Sequence, residues 1–172
     1  MDAVVSPSFA VQLGKMGGLG VLNMEGLYSR YVDAPEKVAE IAEASPSSAT
    51  GILQSLYQEP IKESLVAERV EQIHESGAIC AVSFTPQNTK RLGPVAVEAG
   101  ADILVVQSTV TTARHISKSY HGLVLSELVE QINVPVMVGN CVTYGATLEL
   151  MESGVAAVLV GVGPGAACTT RE

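Results

Sequence analysis

A short residue pattern recurs along the chain and constrains its fold more than any other feature. An acidic residue, a small residue and a glycine precede an apolar run at 75–82, 98–105 and 152–159, and a looser copy lies at 15–22. Glycine suits the turn that ends a helix, and a continuous apolar run is typical of a parallel strand covered on both faces. Repeated helix, turn and strand units predict a parallel α/β architecture, either a barrel or an open sheet.

The predicted elements follow from this pattern and from capping residues. Apolar runs predict five strands, at 19–23, 78–84, 102–107, 134–139 and 156–161. Helical spacing predicts helices at 7–16, 35–44, 50–57, 61–76, 86–99, 124–132 and 144–153. Residues 45–48 predict a surface turn, and residues 110–122 predict a loop. We expect the strands to run parallel in sequence order, so that their carboxyl ends share one edge of the sheet.

Composition excludes several classes of protein. The 172 residues carry a formal net charge of −8, and 47% are hydrophobic. An acidic chain lacks the basic face that nucleic-acid binding requires, and its short apolar runs fall far below the ~20 residues of a membrane-spanning helix. The cysteines, Cys80, Cys141 and Cys168, fit no zinc spacing and are odd in number, which favours a reducing cytoplasm over a disulfide framework. We expect one domain over residues 1–172, with Cys80 in its core.

The glycine-rich stretch at 161–171 places a cysteine directly after the last predicted strand. Glycines permit positive φ, so backbone amides and carbonyls can crowd around a phosphate, a cation or a substrate. The stretch is therefore a candidate catalytic loop with Cys168 as its reactive group. A glycine-rich turn that contains an incidental cysteine is the alternative.

The longer string Gly163-Pro164-Gly165-x-x-Cys168-Thr169-Thr170-Arg171 resembles the active-site cysteine loop of the IMP dehydrogenase/GMP reductase family. Other stretches resemble the same family: Met1-Asp2 (end of the first barrel strand), residues 18–23 (second strand) and Gly139-Asn140 (end of the fifth strand). Residues 22–27 and 139–144 are most similar to the IMP dehydrogenase-related branch that lacks CBS domains, some members of which act as GMP reductases.

The resemblance implies roles for the cysteine loop. Cys168 would be the nucleophile that attacks the purine C2 carbon and forms a thioimidate, and Thr170 would assist proton transfer. The backbone carbonyls of Gly163, Gly165 and Cys168 match positions that hold a monovalent cation, potassium, and the two glycines also border the substrate. At Ala166 the sequence departs from the family's usual phosphate-contacting serine, which removes one hydroxyl from that part of the substrate site.

Three further strand ends receive roles from the resemblance. Met1 and Asn140 match positions near the substrate, with Asn140 beside the ribose and purine. Gln107 and Ser108 match the region that positions the nicotinamide riboside of NAD or NADP. The family usually has an aspartate where Gln107 stands, so this departure argues against a standard dehydrogenase and favours the GMP reductase direction. A buried, satisfied asparagine is the alternative for Asn140.

The resemblance also implies the fold and the partners. The expected fold is a partial TIM (β/α)8 barrel with strands two to six of eight, so the chain would be an internal fragment that is inactive by itself. The expected ligand is a purine nucleotide (IMP, GMP or XMP), and the intact family member would be a homo-oligomer, a tetramer. A catalytically silent nucleotide-binding or interaction module is the rival hypothesis. A phosphate-binding barrel with unrelated chemistry would require the cysteine string to be a coincidence.

Overall fold

The computed structural model of the protein describes residues 4–108 and 123–162. Its centre is a five-stranded parallel sheet with the strands in sequence order. The strands are β1 (Val21–Asn23), β2 (Ala81–Phe84), β3 (Ile103–Gln107), β4 (Val136–Cys141) and β5 (Ala157–Val160). The predicted parallel α/β fold and strand order are confirmed, and the arrangement is consistent with part of a TIM barrel.

Helices connect the strands. The described residues contain α1 (Pro7–Lys15), α2 (Ala34–Glu43), α3 (Pro46–Leu56), α4 (Glu63–His74), α5 (Pro86–Glu98), α6 (Leu125–Gln131) and α7 (Tyr144–Glu152), with a single 3-10 turn at Leu27–Ser29. None of the helices in this part of the chain is long and apolar enough to cross a membrane. The main core lies between the sheet and α1, α4, α5, α6 and α7, whereas α2 and α3 pack in a smaller second cluster. Every residue of β2 is buried.

The recurring glycine acts as the sequence predicted. Gly17, Gly77, Gly100 and Gly154 all have positive φ, between 79° and 105°, in the turns that follow α1, α4, α5 and α7. A side chain at Gly100 would also meet the ring of His74 at 3.1 Å. These turns redirect the chain from a finished helix into the next strand, at the amino edge of the sheet.

One local prediction was wrong. Residues 45–48 form no surface turn, because α3 already begins at Pro46. Ser45 has extended backbone and the carbonyl of Ser45 accepts hydrogen bonds from the amides of Ser48 and Ala49 at 3.0 Å. Proline fits the first helical position, where its missing N–H would have had no partner in any case. The predicted loop at 110–122 lies outside the described residues.

Candidate active site

The carboxyl ends of the strands meet at one edge of the sheet, as parallel pairing requires. Gln107 is the last residue of β3 and pairs in register with Gly139 of β4. Gly161 follows the last residue of β5 and leads into the glycine-rich stretch. The edge of β3, β4 and β5 therefore places two predicted site residues, Gln107 and Asn140, beside the start of the predicted cysteine loop.

A bulge in β4 directs the side chain of Asn140. Gly139 pairs with Leu159 and Cys141 pairs with Val160, so Asn140 is an extra residue without a partner in the register. Bulges of this kind are frequent next to active sites, where they re-aim a side chain. The Asn140 Nδ2 donates a hydrogen bond to the carbonyl oxygen of Gly161 at 2.7 Å.

A second amide lies on the other side of Asn140. The Gln107 Nε2 donates to the Asn140 Oδ1 at 3.4 Å, so polar side chains link the ends of β3, β4 and β5. Backbone bonds reinforce the same edge: the Ser108 amide donates to the Gly139 carbonyl at 3.0 Å, and the Asn140 amide donates to the Ser108 carbonyl at 3.1 Å. The two predicted cofactor residues and one predicted substrate residue are thus neighbours.

Close backbone packing explains the glycine before Asn140. A Cβ atom built on Gly139 would lie 2.4 Å from the Cβ of Leu159 and 2.9 Å from its carbonyl oxygen. No side chain fits there without moving β5. Gly139 therefore sets how closely β4 and β5 approach at the point where Asn140 contacts Gly161.

The other predicted site residues lie outside the described residues: Met1, Gly163, Gly165, Ala166, Cys168 and Thr170. Their roles stay predictions. Within the described ranges, no group of three or more histidine, cysteine or acidic residues could hold a metal ion. The predicted potassium site depends on carbonyls of the undescribed loop, which are oxygen ligands of the kind that a hard cation prefers.

Sequence reasoning gave no role to Glu25, which the structure places at the same edge. One carboxylate oxygen accepts a hydrogen bond from the backbone amide of Thr85 at 2.5 Å, and the other accepts from the Asn88 Nδ2 at 2.8 Å. Thr85 is the N-cap of α5 and its own side chain makes no capping bond. Glu25 therefore caps α5 from the loop after β1, and an acidic side chain is stabilising at the N-terminus of a helix.

The position of Glu25 is itself fixed by its neighbours. Its amide donates to the Asn23 Oδ1 at 3.0 Å, and the guanidinium of Arg30 donates to its carbonyl at 3.1 and 3.2 Å. The available signal in the sequence for a role of Glu25 was an acidic residue shortly after a predicted strand. Its partners, Thr85 and Asn88, lie 60 and 63 residues away in the sequence, and local patterns do not reveal such pairs.

Two of the three cysteines are buried and are poor candidates for a nucleophile. The Cys141 Sγ lies 3.1 Å from the Thr147 Oγ1, inside the core. Burial, with a smaller contribution from the Asp102 carboxylate, raises the pKa of the Cys80 thiol to about 12. A thiol with such a pKa is almost entirely protonated at neutral pH and is unreactive. The expectation that Cys80 is a core residue is confirmed.

Comparison with known proteins now identifies the family. The sequence profile of the family described as "IMP dehydrogenase / GMP reductase domain" matches residues 1–172. The chain belongs to the IMP dehydrogenase/GMP reductase family. It is 40% identical to an uncharacterized oxidoreductase of Mycobacterium tuberculosis, over 99% of this chain and 47% of that protein. It is 28% identical to the inosine-5'-monophosphate dehydrogenase of Cryptosporidium parvum, over 99% of this chain and 43% of that enzyme.

A solved structure agrees with the family membership and the fold. The IMP dehydrogenase/GMP reductase-like protein of Corynebacterium glutamicum superposes with a TM-score of 0.86 and is 38% identical, over 95% of this chain and 44% of that chain. The chain spans about half the length of the curated relatives that it matches. What is shown is therefore membership of the family and its fold.

Proposed function

We propose that the whole protein is a purine-nucleotide oxidoreductase that moves a hydride between purine C2 and NAD(P), with Cys168 as the covalent nucleophile. The observation that carries the proposal is the contact between Gln107 and Asn140 beside Gly161, in a chain that matches the family over its full length. Barrel enzymes keep their active sites at this carboxyl edge. Within the family we favour the GMP reductase direction.

In that direction the Cys168 thiolate attacks C2 of GMP, and the C2 amino group takes up a proton and leaves as ammonia. C2 is then bound to sulfur as a thioimidate. Thr170 is the proposed hydroxyl that carries the proton to the leaving amine. A reduced nicotinamide held beside Gln107 and Ser108 would supply the hydride to C2, so that the carbon–sulfur bond breaks, the Cys168 thiolate is released and IMP is left.

The described residues fit the cofactor and the substrate that this chemistry requires. The exposed side chain of Gln107 offers both an amide donor and a carbonyl acceptor, which suits the hydroxyls of a nicotinamide riboside, and Ser108 follows it. Asn140 uses one donor and one acceptor within the protein, so its second proton and second lone pair can face the ribose or purine.

The remaining binding roles are proposed on the resemblance alone. Met1, Gly163 and Gly165 border the nucleotide. The backbone carbonyls of Gly163, Gly165 and Cys168 hold potassium. The alanine at 166 leaves phosphate binding to backbone amides and other groups. We further propose a homo-oligomer as the active form, a tetramer as in intact family members.

The proposed direction of the reaction is supported by one difference from the family, at Gln107. The family's usual aspartate would be ionised at neutral pH, whereas Gln107 is neutral and donates a hydrogen bond to Asn140. The test is an assay of the full-length protein with GMP plus NADPH, and separately with IMP plus NAD, at several potassium concentrations. Turnover of GMP supports the proposal. Turnover of IMP alone overturns the direction, and no turnover with either pair favours the catalytically silent module.

The nucleophile has its own prediction. In the full-length protein, Cys168→Ala should abolish turnover, while nucleotide affinity stays within about tenfold, because only the covalent step is lost. Cys80→Ala is the matched control, since it removes a buried thiol from the core, and it should retain activity. Near-parental turnover by Cys168→Ala would rule out the assignment.

A further inference from the structure

The chain of amides at the carboxyl edge has a fixed direction. The Gly161 carbonyl can only accept a hydrogen bond, so the Asn140 side chain must turn its Nδ2 toward it. The Asn140 Oδ1 then faces Gln107 and needs a donor there. The Gln107 Nε2 supplies that donor at 3.4 Å. Each amide orientation therefore depends on the next.

A carboxylate at position 107 could not take part in this arrangement. An ionised aspartate or glutamate only accepts hydrogen bonds, so it would oppose the Asn140 Oδ1. Asn140 could avoid the repulsion by rotating its amide, but its oxygen would then face the Gly161 carbonyl. A hydrogen-bond donor at position 107 is thus compatible with the 2.7 Å bond from Asn140 to Gly161, whereas a carboxylate is not.

We propose that Gln107 is a positioning residue that acts through Asn140 on Gly161, and so sets the path on which the chain leaves β5 toward the cysteine loop. The proposal deepens the function proposed above and rests on it for its catalytic consequence. The bulge at Asn140 and the close approach of Gly139 to Leu159 hold the other side of the same junction. The role is indirect, because Gln107 reaches Gly161 only through a second side chain.

The first arm of the test uses NMR spectra of the full-length protein and needs no measurement of activity. Gln107→Glu keeps the size of the side chain and removes its donor at neutral pH. We expect it to shift the side-chain amide signals of Asn140 and the backbone amide signals of Gly161 and Val162. Gln107→Lys restores a donor and should move these signals back toward the parent. Gln87→Glu, at an exposed position on α5, is the matched charge control and should leave them unchanged.

The second arm measures kinetics of the full-length protein. Gln107→Glu should lower kcat about three- to tenfold, the size expected for one lost hydrogen bond, and Gln107→Lys should recover part of it. Any of three results would overturn the proposal. Gln107→Glu could leave the Gly161 signals unshifted, Gln107→Glu could change KM alone, or Gln87→Glu could have an equal effect. An inactive parent with shifted Gly161 signals would instead refute the proposed function and leave the coupling established.

Discussion

The two edges of the sheet are built by different kinds of interaction. At the amino edge, glycines with positive φ turn the chain from α1, α4, α5 and α7 into the following strands, and each turn is encoded within a few residues. At the carboxyl edge, side chains reach between strands, from Glu25 to Thr85 and from Asn140 to Gly161. The turns of the amino edge therefore repeat a local solution, whereas the side-chain contacts of the carboxyl edge join distant parts of the sequence.

The carboxyl edge is itself divided in two. On the β1 and β2 side, a carboxylate makes short, charge-assisted hydrogen bonds that fix the start of α5. On the β3 to β5 side, neutral amides form the contacts, and a bulge supplies the geometry. Neutral amides with spare donors and acceptors suit a substrate site, while a carboxylate with both oxygens bonded to the start of α5 suits a structural support. The difference predicts separable effects of mutation.

The largest effect is expected where β4 and β5 approach most closely. Gly139→Ala should lower the free energy of unfolding by about 3 kcal/mol, because the new methyl group would overlap Leu159 in a packed sheet. Chemical denaturation of the chain measures the loss. Gly145→Ala is the matched control: nothing lies within 4 Å of the added atom in α7, and alanine favours a helix by up to about 1 kcal/mol. Equal stability of the two variants would contradict the close-approach argument.

A smaller loss is expected at the β1 and β2 side. Glu25→Ala should destabilise the chain by about 2 kcal/mol, because the amide of Thr85 and the side chain of Asn88 lose their acceptor. Glu71→Ala removes an exposed carboxylate from α4 and should change stability by less than about 0.5 kcal/mol.

Glu25→Gln separates charge from geometry, since glutamine still offers one oxygen to Thr85. We expect the free energy of unfolding of Glu25→Gln to lie between those of the parent and Glu25→Ala. If Glu25→Gln matches the parent, the negative charge contributes nothing and the distinction between the charged and neutral halves of this edge fails.

The sequence predicted most local features and the strand order, and it missed the contacts between distant residues. Strand order, the glycine turns and the position of Asn140 at a strand end follow from patterns within about ten residues, because turns and buried runs leave local signatures. The N-terminus of α3 was missed because Ser-Pro-Ser-Ser is equally typical of turns and of helix starts. The bulge at Asn140 and the cap from Glu25 could not be predicted, since each depends on a strand pairing or contact that the residues alone do not specify.

The smallest effect is expected at the amino edge, where Cys80 precedes β2. Its thiol has a pKa of about 12 in the folded chain against 9.0 ordinarily, with burial as the main cause. Above pH 9 the unfolded chain releases a proton that the folded chain keeps, so this contribution to stability is complete below pH 9 and declines as pH rises toward 12. At pH 10 the loss should be about 1 kcal/mol relative to pH 8. Urea denaturation under reducing conditions should show a smaller loss of stability above pH 9 for Cys80→Ala than for the parent. Asp102→Asn should keep most of the parent's loss, because the Asp102 carboxylate is the lesser cause of the raised pKa. An identical decline in the parent and Cys80→Ala would show that the thiol is not the titrating group.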